Sequence, residues 1–210
     1  MKKNLLFDFD GVILDSIDIK TEAFKTIFSE YNDRYIEKLV SFHLENGGLS
    51  RFVKIKYFFE NIIESEVSEE EIYRYADKFG EICRKFLIDK KYLIQDSLKF
   101  IHQNYKNYSM HIVSGAEESE LKYICSSLKL DRYFIDINGS PTPKSELIES
   151  IIKKYRYRDD DTVMIGDSIN DYKAAVDNGI EFYAYNNNEL RKIAHCYIER
   201  FISNDSENCL

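Results

Sequence analysis

Two carboxylates, Asp8 and Asp10, stand two residues apart where the short apolar run Asn4-Leu5-Leu6-Phe7 ends, and Gly11 follows them. Burying the run is favourable. Burying two unpaired carboxylates is expensive. Both demands are met if the run is a sheet strand and the carboxylates share a cation in a crevice at its carboxyl end. In open α/β sheets that edge is where ligands bind. Hard carboxylate oxygens suit Mg2+, which uses one or two carboxylates beside waters and substrate phosphate oxygens. One carboxylate can attack phosphorus and form an aspartyl-phosphate. The other can protonate the leaving oxygen and then take a proton from water.

Three more stretches carry polar groups of the same kind. Met110-His111-Ile112-Val113 reads as a buried strand that ends in Ser114-Gly115, and Thr162-Val163-Met164-Ile165 as one that ends in Gly166-Asp167, with Asp171 close behind. The chain's only two prolines, Pro141 and Pro143, immediately precede Lys144. Proline stiffens the backbone and disfavours helix in the residue before it, so the stretch predicts a held loop that presents Lys144 at a helix start. If all the strands are parallel, these groups converge at one sheet edge. Lys144 and the Ser114 hydroxyl can then bind phosphate oxygens. Phosphoryl transfer needs mainly charge neutralisation and in-line positioning.

The elements between these stretches fit such a sheet. From Ile17 the apolar period becomes helical and stays so for about 70 residues. Ile17 to Phe28, Ile36 to Phe42, Phe52 to Ile63 and the run from Ser68 to Leu87 read as helices, with Ser68 as N-cap and Glu71 completing a capping box. Glu69-Glu70-Glu71 reads as a favourable first turn. Gly47-Gly48 marks a loop. Beyond Lys91, strands at 110–113, 133–137, 162–165 and 182–185 alternate with helices near 96–105, 121–128, 144–155 and 169–178, the last closed by Gly179. The expected architecture is α/β: a parallel sheet with helices on both faces (residues 1–15 and 88–210) and an all-helical insertion after the first strand (16–87). His43 reads as a satisfied or exposed histidine, Asn186-Asn187-Asn188 as a polar turn, and Ser203 to Leu210 as a frayed end.

The 210 residues suffice for a core with a smaller insert, and the net charge of -8 argues against non-specific nucleic-acid binding. Acidity still allows a small anionic substrate received by local cations or a metal. Four scattered cysteines without a CxxC pair read as reduced thiols. The apolar stretch at 5–7 is too short for a signal peptide or a membrane span, so the expectation is a cytoplasmic protein without membrane contact. The 16 tyrosines and 14 phenylalanines read as core and insert packing rather than a stacking platform for bases. Oligomeric state is not legible.

Asp8-Phe9-Asp10-Gly11-Val12, Val113-Ser114-Gly115, Lys144 and Gly166-Asp167-Ser168-Ile169-Asn170-Asp171 together resemble the four ordered motifs of the haloacid dehalogenase superfamily. The resemblance implies a Rossmann-like core, and the helical insert resembles the α-helical cap of the branch holding phosphoglycolate phosphatases and β-phosphoglucomutases. The resemblance implies Mg2+ bound by the side chains of Asp8 and Asp167 and the backbone carbonyl of Asp10. It implies Asp8 as nucleophile, Asp10 as general acid and base, Ser114, Gly115 and Lys144 around the transferring phosphate, and Asp171 in support. Dehalogenases proper and phosphonatases lack the carboxylate found here as Asp10, so the resemblance favours phosphate esters. Gly48-Leu49-Ser50-Arg51 is similar to a loop whose arginine holds a remote phosphate in sugar-phosphate members, so Arg51, with Lys20 near the hinge, is expected to touch substrate. Mutases carry a histidine where this chain has Lys20, which favours hydrolysis, and many relatives have proline where Ser145 follows Lys144.

The resulting expectation is a Mg2+-dependent phosphatase of a small phosphorylated metabolite such as a sugar phosphate. Two alternatives stand beside it. One is a phosphomutase on the same scaffold. The other is a non-catalytic relative or a phospho-accepting signalling domain, which would combine an aspartate, a hydroxyl and a lysine but carry its acceptor at a middle strand.

Overall fold

The structure, a computed structural model, describes residues 2–201 and 209–210. The chain opens with β1 (Asn4–Phe7) and then runs through helices only: α1 (Ile17–Ile27), α2 (Asp33–Glu45), α3 (Arg51–Tyr57), a π-helical turn at Phe58–Ile63 and α4 (Glu69–Phe86). The alternating part follows: α5 (Gln95–Asn104), β2 (Ser109–Glu117), α6 (Glu118–Ser127), β3 (Asp136–Ser140), α7 (Lys144–Tyr155), β4 (Thr162–Gly166), α8 (Ile169–Asp177), β5 (Glu181–Tyr185) and β6 (Cys196–Ile198).

The six strands form one sheet in the order β3-β2-β1-β4-β5-β6, parallel at every pairing. This is the Rossmann order, whose direction of winding reverses beside β1. Parallel strands are covered on both faces and so read as continuous apolar runs. Leu5, Phe7, Ile112, Val163 and Ile165 point to one face under α5 and α6, whereas Leu6, Val113, Met164 and Phe182 point to the other under α7 and α8.

The helical insert has one neck. Asp15 donates its N–H to the Tyr92 carbonyl at 2.8 Å, and Ile94 donates to Ile13 at 3.0 Å, so the outgoing and returning strands of chain lie side by side. An aromatic cluster fills the insert: the Phe28 ring packs 4.0 Å from Phe58 and stacks 4.7 Å from Tyr75. The abundant aromatics serve packing there, as their spacing suggests.

The structure departs from the sequence expectations in several places. The third strand begins at Asp136, because Asp131–Tyr133 forms a 3-10 turn whose Tyr133 ring covers Tyr105 and His102 instead of entering the sheet. At Ser68 only half of the capping box forms, with Glu71 donating its N–H to the Ser68 hydroxyl. β6 is a three-residue edge strand without a legible apolar signature. Two cysteines are not free thiols: Cys196 on β6 and Cys209 are joined, their Cα atoms 6.0 Å apart, within the reach that a disulfide requires. Cys83 and Cys125 are free and buried. Of the end expected to fray, residues 203–208 lie outside the described residues, while Cys209 and Leu210 pack against the core. Among the described residues no helix is long and apolar enough to cross a membrane.

Candidate active site

β1 is flanked by β2 and β4, so Asp8 and Asp167, each directly after its strand, and Ser114, in the C-terminal half of β2, come from three adjacent strands. Pairing of Phe7 with Ile112 and with Ile165 puts Asp8 one residue short of the level of Ser114 and Asp167. Asp8 is 1% exposed. Its N–H continues the ladder by donating to the Ile165 carbonyl at 2.8 Å, and its Oδ1 accepts from the Phe9 N–H at 2.7 Å. Lys144 Nζ lies 3.0 Å from the same Oδ1. Oδ2 is buried and has no hydrogen-bond partner among the described residues.

Lys144 opens α7, directly after Pro143, and is buried between two carboxylates, Asp8 and Asp171. Asp171 is itself fixed. Its Oδ2 accepts from the Ser168 N–H at 3.0 Å and from the Ser168 hydroxyl at 2.7 Å, while the Ser168 hydroxyl caps α8 by accepting from the Asp171 N–H. This is a complete capping box, and it holds Asp171 against Lys144. Burial, then the charge of Asp171, push the Asp8 carboxyl up to about 7, with Lys144 offsetting part of the rise. Burial would lower Lys144, but the two carboxylates more than compensate and keep it charged. Ser114 is buried, and its hydroxyl accepts from the Ala116 N–H at 3.1 Å, which leaves its own proton to donate.

Asp10 faces a different set. Its Oδ2 accepts from Lys20 Nζ at 2.5 Å and its Oδ1 from the Ser16 hydroxyl at 2.5 Å. Burial opposes its ionisation, but Lys20 and Ser16 outweigh burial and hold the carboxyl below the usual range. Lys20, expected on the substrate, is therefore committed to Asp10. Asp167 lies across Gly11, whose φ of +75° and lack of a side chain are both required: a Cβ there would collide with the Asp167 carboxylate. The asparagine turn reaches into the same edge. Asn187 donates to the Asp167 carbonyl at 2.8 Å and Asn186 to the Gly11 carbonyl at 3.1 Å.

Between sheet edge and insert lies a cavity of about 170 Å³, lined by Asp10, Gly115 and Asp167 from one side and by Lys20, His43, Gly48, Arg51 and Lys54 from the other. The insert is seated closely: Asn170 donates to the Gly47 carbonyl at 2.6 Å, and a Cβ on Gly115 would meet the Gly48 carbonyl. Arg51, also expected on the substrate, is buried and bidentate on Glu120 of α6, with its guanidinium 4.6 Å above the Phe79 ring. Its charge is thus matched by the core. Lys54 and His43 are both buried and face each other, Nζ to Nδ1 at 2.9 Å.

The carboxylates of Asp8, Asp167 and Asp171 each place an oxygen within 4.8 Å of the others. Against these three charges stands one ammonium, Lys144, which leaves an excess of two negative charges. Burial, then the charges of Asp8 and Asp171, drive the Asp167 carboxyl well above its usual range. An orphaned buried oxygen, hard donors and a charge deficit of two fit a divalent cation such as Mg2+. Since both oxygens of Asp171 are engaged by Lys144 and Ser168, Asp8 and Asp167 are the free donors of the set.

Some of this has no sequence signal. The Lys54–His43 and Arg51–Glu120 contacts join separate elements. The Ser168-to-Asp171 box, by contrast, carries the usual serine-to-acid spacing of three and could have been read as a clamp.

The chain belongs to the haloacid dehalogenase-like hydrolases, a family that matches residues 5–185. It is 23% identical over 203 residues to a phosphoglycolate phosphatase of Vibrio parahaemolyticus serotype O3:K6 (strain RIMD 2210633), covering 89% of this chain and 86% of that protein. Among solved structures it is similar to β-phosphoglucomutase from Clostridium difficile (TM-score 0.75, 18% identity, 96% and 92% of the two chains). It is also similar to CbbY from Rhodobacter sphaeroides in complex with xylulose-(1,5)-bisphosphate (TM-score 0.76, 13% identity, 96% and 95%). These structures share its fold.

Proposed function

We propose that this hydrolase cleaves the phosphate monoester of a small metabolite through a phosphoryl group carried on Asp8, with the helical insert acting as a cap. The observation that carries the reading is the Asp8 side chain: a buried carboxylate at the end of the central strand, anchored through Oδ1, with Oδ2 left unpartnered. A carboxylate so placed is positioned to attack rather than to support a neighbour.

Mg2+, held by the carboxylates of Asp8 and Asp167 and the backbone carbonyl of Asp10, would offset the negative charge that otherwise repels a phosphate. The chain's own groups do the rest. Lys144 and the Ser114 hydroxyl bind the phosphate oxygens. A carboxylate oxygen of Asp8 attacks phosphorus, the bond from phosphorus to the leaving oxygen breaks, and that oxygen takes a proton from the pair formed by Asp10 and Lys20. Water then attacks phosphorus, Asp10 accepts its proton, and the bond to Asp8 breaks to release phosphate. Asp171 acts through Lys144, whose position it holds.

Hydrolysis is favoured over phosphoryl return to a second hydroxyl because Lys20 and Ser16 hold Asp10 ionised before any second hydroxyl is bound, so that water can use it first. The cavity of about 170 Å³ suits a small metabolite, well below the ~300–1,000 Å³ of sites for larger ligands. Two relatives point the same way. One is a phosphatase of phosphoglycolate and another holds a pentulose bisphosphate. Cap closure over the ester would exclude bulk water.

The test is a phosphate-release screen over phosphorylated metabolites, with and without Mg2+. Mg2+-dependent release with a ranked kcat/KM is expected. Isomerisation of a sugar phosphate without release would instead identify a mutase, and a stable phosphoprotein without turnover a phospho-accepting domain.

A further inference from the structure

Three cationic side chains line the cavity, Lys20, Arg51 and Lys54. Two of them have their counter-charges within the protein. Lys20 is on Asp10, and Arg51 is on Glu120. Lys54 is different. It is 4% exposed, and among the described residues no carboxylate lies within ion-pair distance of it. Among the described residues its Nζ has hydrogen-bond partners only on His43, at 2.9 Å from Nδ1 and 3.5 Å from the carbonyl oxygen.

An ammonium has three donors, and His43 engages two at most. Nor does His43 balance the charge. Burial, then the charge of Lys54, bring the imidazole down to about 3, so it stays neutral and serves as an acceptor. Burial, then the charge of Lys20, bring Lys54 itself down to about 7. A protein does not ordinarily bury an ammonium without a counter-charge, because desolvation is not repaid. Here the uncompensated group is on the wall of the cavity that faces Asp10, on the side from which the leaving group must be held.

We infer that Lys54, positioned by His43, receives a second anionic group of the substrate, a carboxylate or a second phosphate carried on the part that leaves. The substrate class is thus a small phosphate monoester with a further negative charge, rather than one with a neutral leaving group. This rests on the phosphatase reading for the reacting end and adds the chemistry of the opposite wall. The insert's arginine, which would ordinarily be the candidate, is already spent on Glu120.

The test measures initial rates with 2-phosphoglycolate, xylulose 1,5-bisphosphate, ethyl phosphate and p-nitrophenyl phosphate. The proteins are the wild type, Lys54→Met and Lys54→Arg. Wild type should favour one of the two doubly anionic esters over ethyl phosphate by at least about tenfold in kcat/KM, and which one distinguishes carboxylate from phosphate. Lys54→Met should raise KM for that ester by about 10–100-fold with kcat nearly kept, and change ethyl and p-nitrophenyl phosphate by less than about twofold. Lys54→Arg should restore part of the loss. Equal losses on all esters, or none, would overturn the inference. Should Lys54→Met not fold, wild type still decides: equal kcat/KM for neutral and anionic leaving groups overturns it. Release from p-nitrophenyl phosphate with no preference overturns this inference alone. No release from any ester overturns the phosphatase reading and the inference with it.

Discussion

Two lysines are buried in the same part of the molecule, and the protein treats them in opposite ways. Lys144, from the sheet edge, sits between Asp8 and Asp171 and is kept charged by both. Lys54, from the helical insert, has only a neutral histidine beside it and is brought down to about 7. Burial penalises both alike; the difference lies in which counter-charge the fold supplies. At the sheet edge the charges are nearly all internal, short only of a divalent cation, so this region is built to do one reaction. In the insert a cation is left unmatched, so that region is built to recognise something it does not contain. On the proposed reading, chemistry and specificity are thereby separated between the two parts of the chain.

The largest expected effects fall at the sheet edge. Asp8→Asn should reduce phosphate release to background. Asp10→Asn should lower kcat by about 10²–10⁴-fold with alkyl phosphates, and by less with p-nitrophenyl phosphate, whose leaving group needs no proton.

The lysines themselves should separate in stability. Lys144→Met leaves two buried carboxylates without their cation and should cost about 3–5 kcal/mol in urea denaturation. Lys54→Met removes an uncompensated buried charge and should be neutral, or stabilising by about 1–2 kcal/mol. If both variants lose stability equally, the contrast between the two sites is wrong. Arg51→Met should behave like Lys144→Met, destabilising by about 3 kcal/mol, because Glu120 would keep only Arg84, at 4.0 Å.

A smaller effect tests the same physics away from the cavity. His111 is fully buried, contacts the Tyr157 hydroxyl at 2.9 Å and has Asp136, Lys154 and the Tyr155 ring around it. Burial brings its imidazole down to about 4, below the unfolded value of 6.5. Between those two pH values the unfolded chain binds more protons, so stability falls as pH falls through that window and levels off below it. Relative to His111→Leu, wild type should lose up to about 3 kcal/mol from pH 6.5 to 4. A flat difference would mean that burial does not depress this base, and would weaken the same argument for Lys54.

The sheet edge was legible in the sequence for a physical reason. In a parallel sheet every strand points the same way, so polar residues that end apolar runs must meet, and Asp8, Ser114 and Asp167 do. Lys144 was legible because the two prolines fix where α7 can begin. The insert was legible only as a stack of helices. Its helical periods mark which residues turn inward but not which neighbour each one meets. Thus Arg51 read as a free cation although Glu120, 69 residues on, takes it. His43 read as unremarkable although Lys54 depends on it. Asn186 and Asn187 read as a turn because backbone carbonyls, which carry no sequence signature, are what they hold. Cys196 and Cys209 read as unpaired because Cys196 sits on an edge strand too short to be read, which hides what lies beside it.

The most direct test of the central claim is the intact mass of the protein, acid-quenched milliseconds after mixing with Mg2+ and a turned-over ester. The account predicts a transient gain of one phosphoryl group that maps to the peptide carrying Asp8 and is absent in Asp8→Asn. Turnover without that adduct, or an adduct that persists in Asp8→Asn, would contradict it.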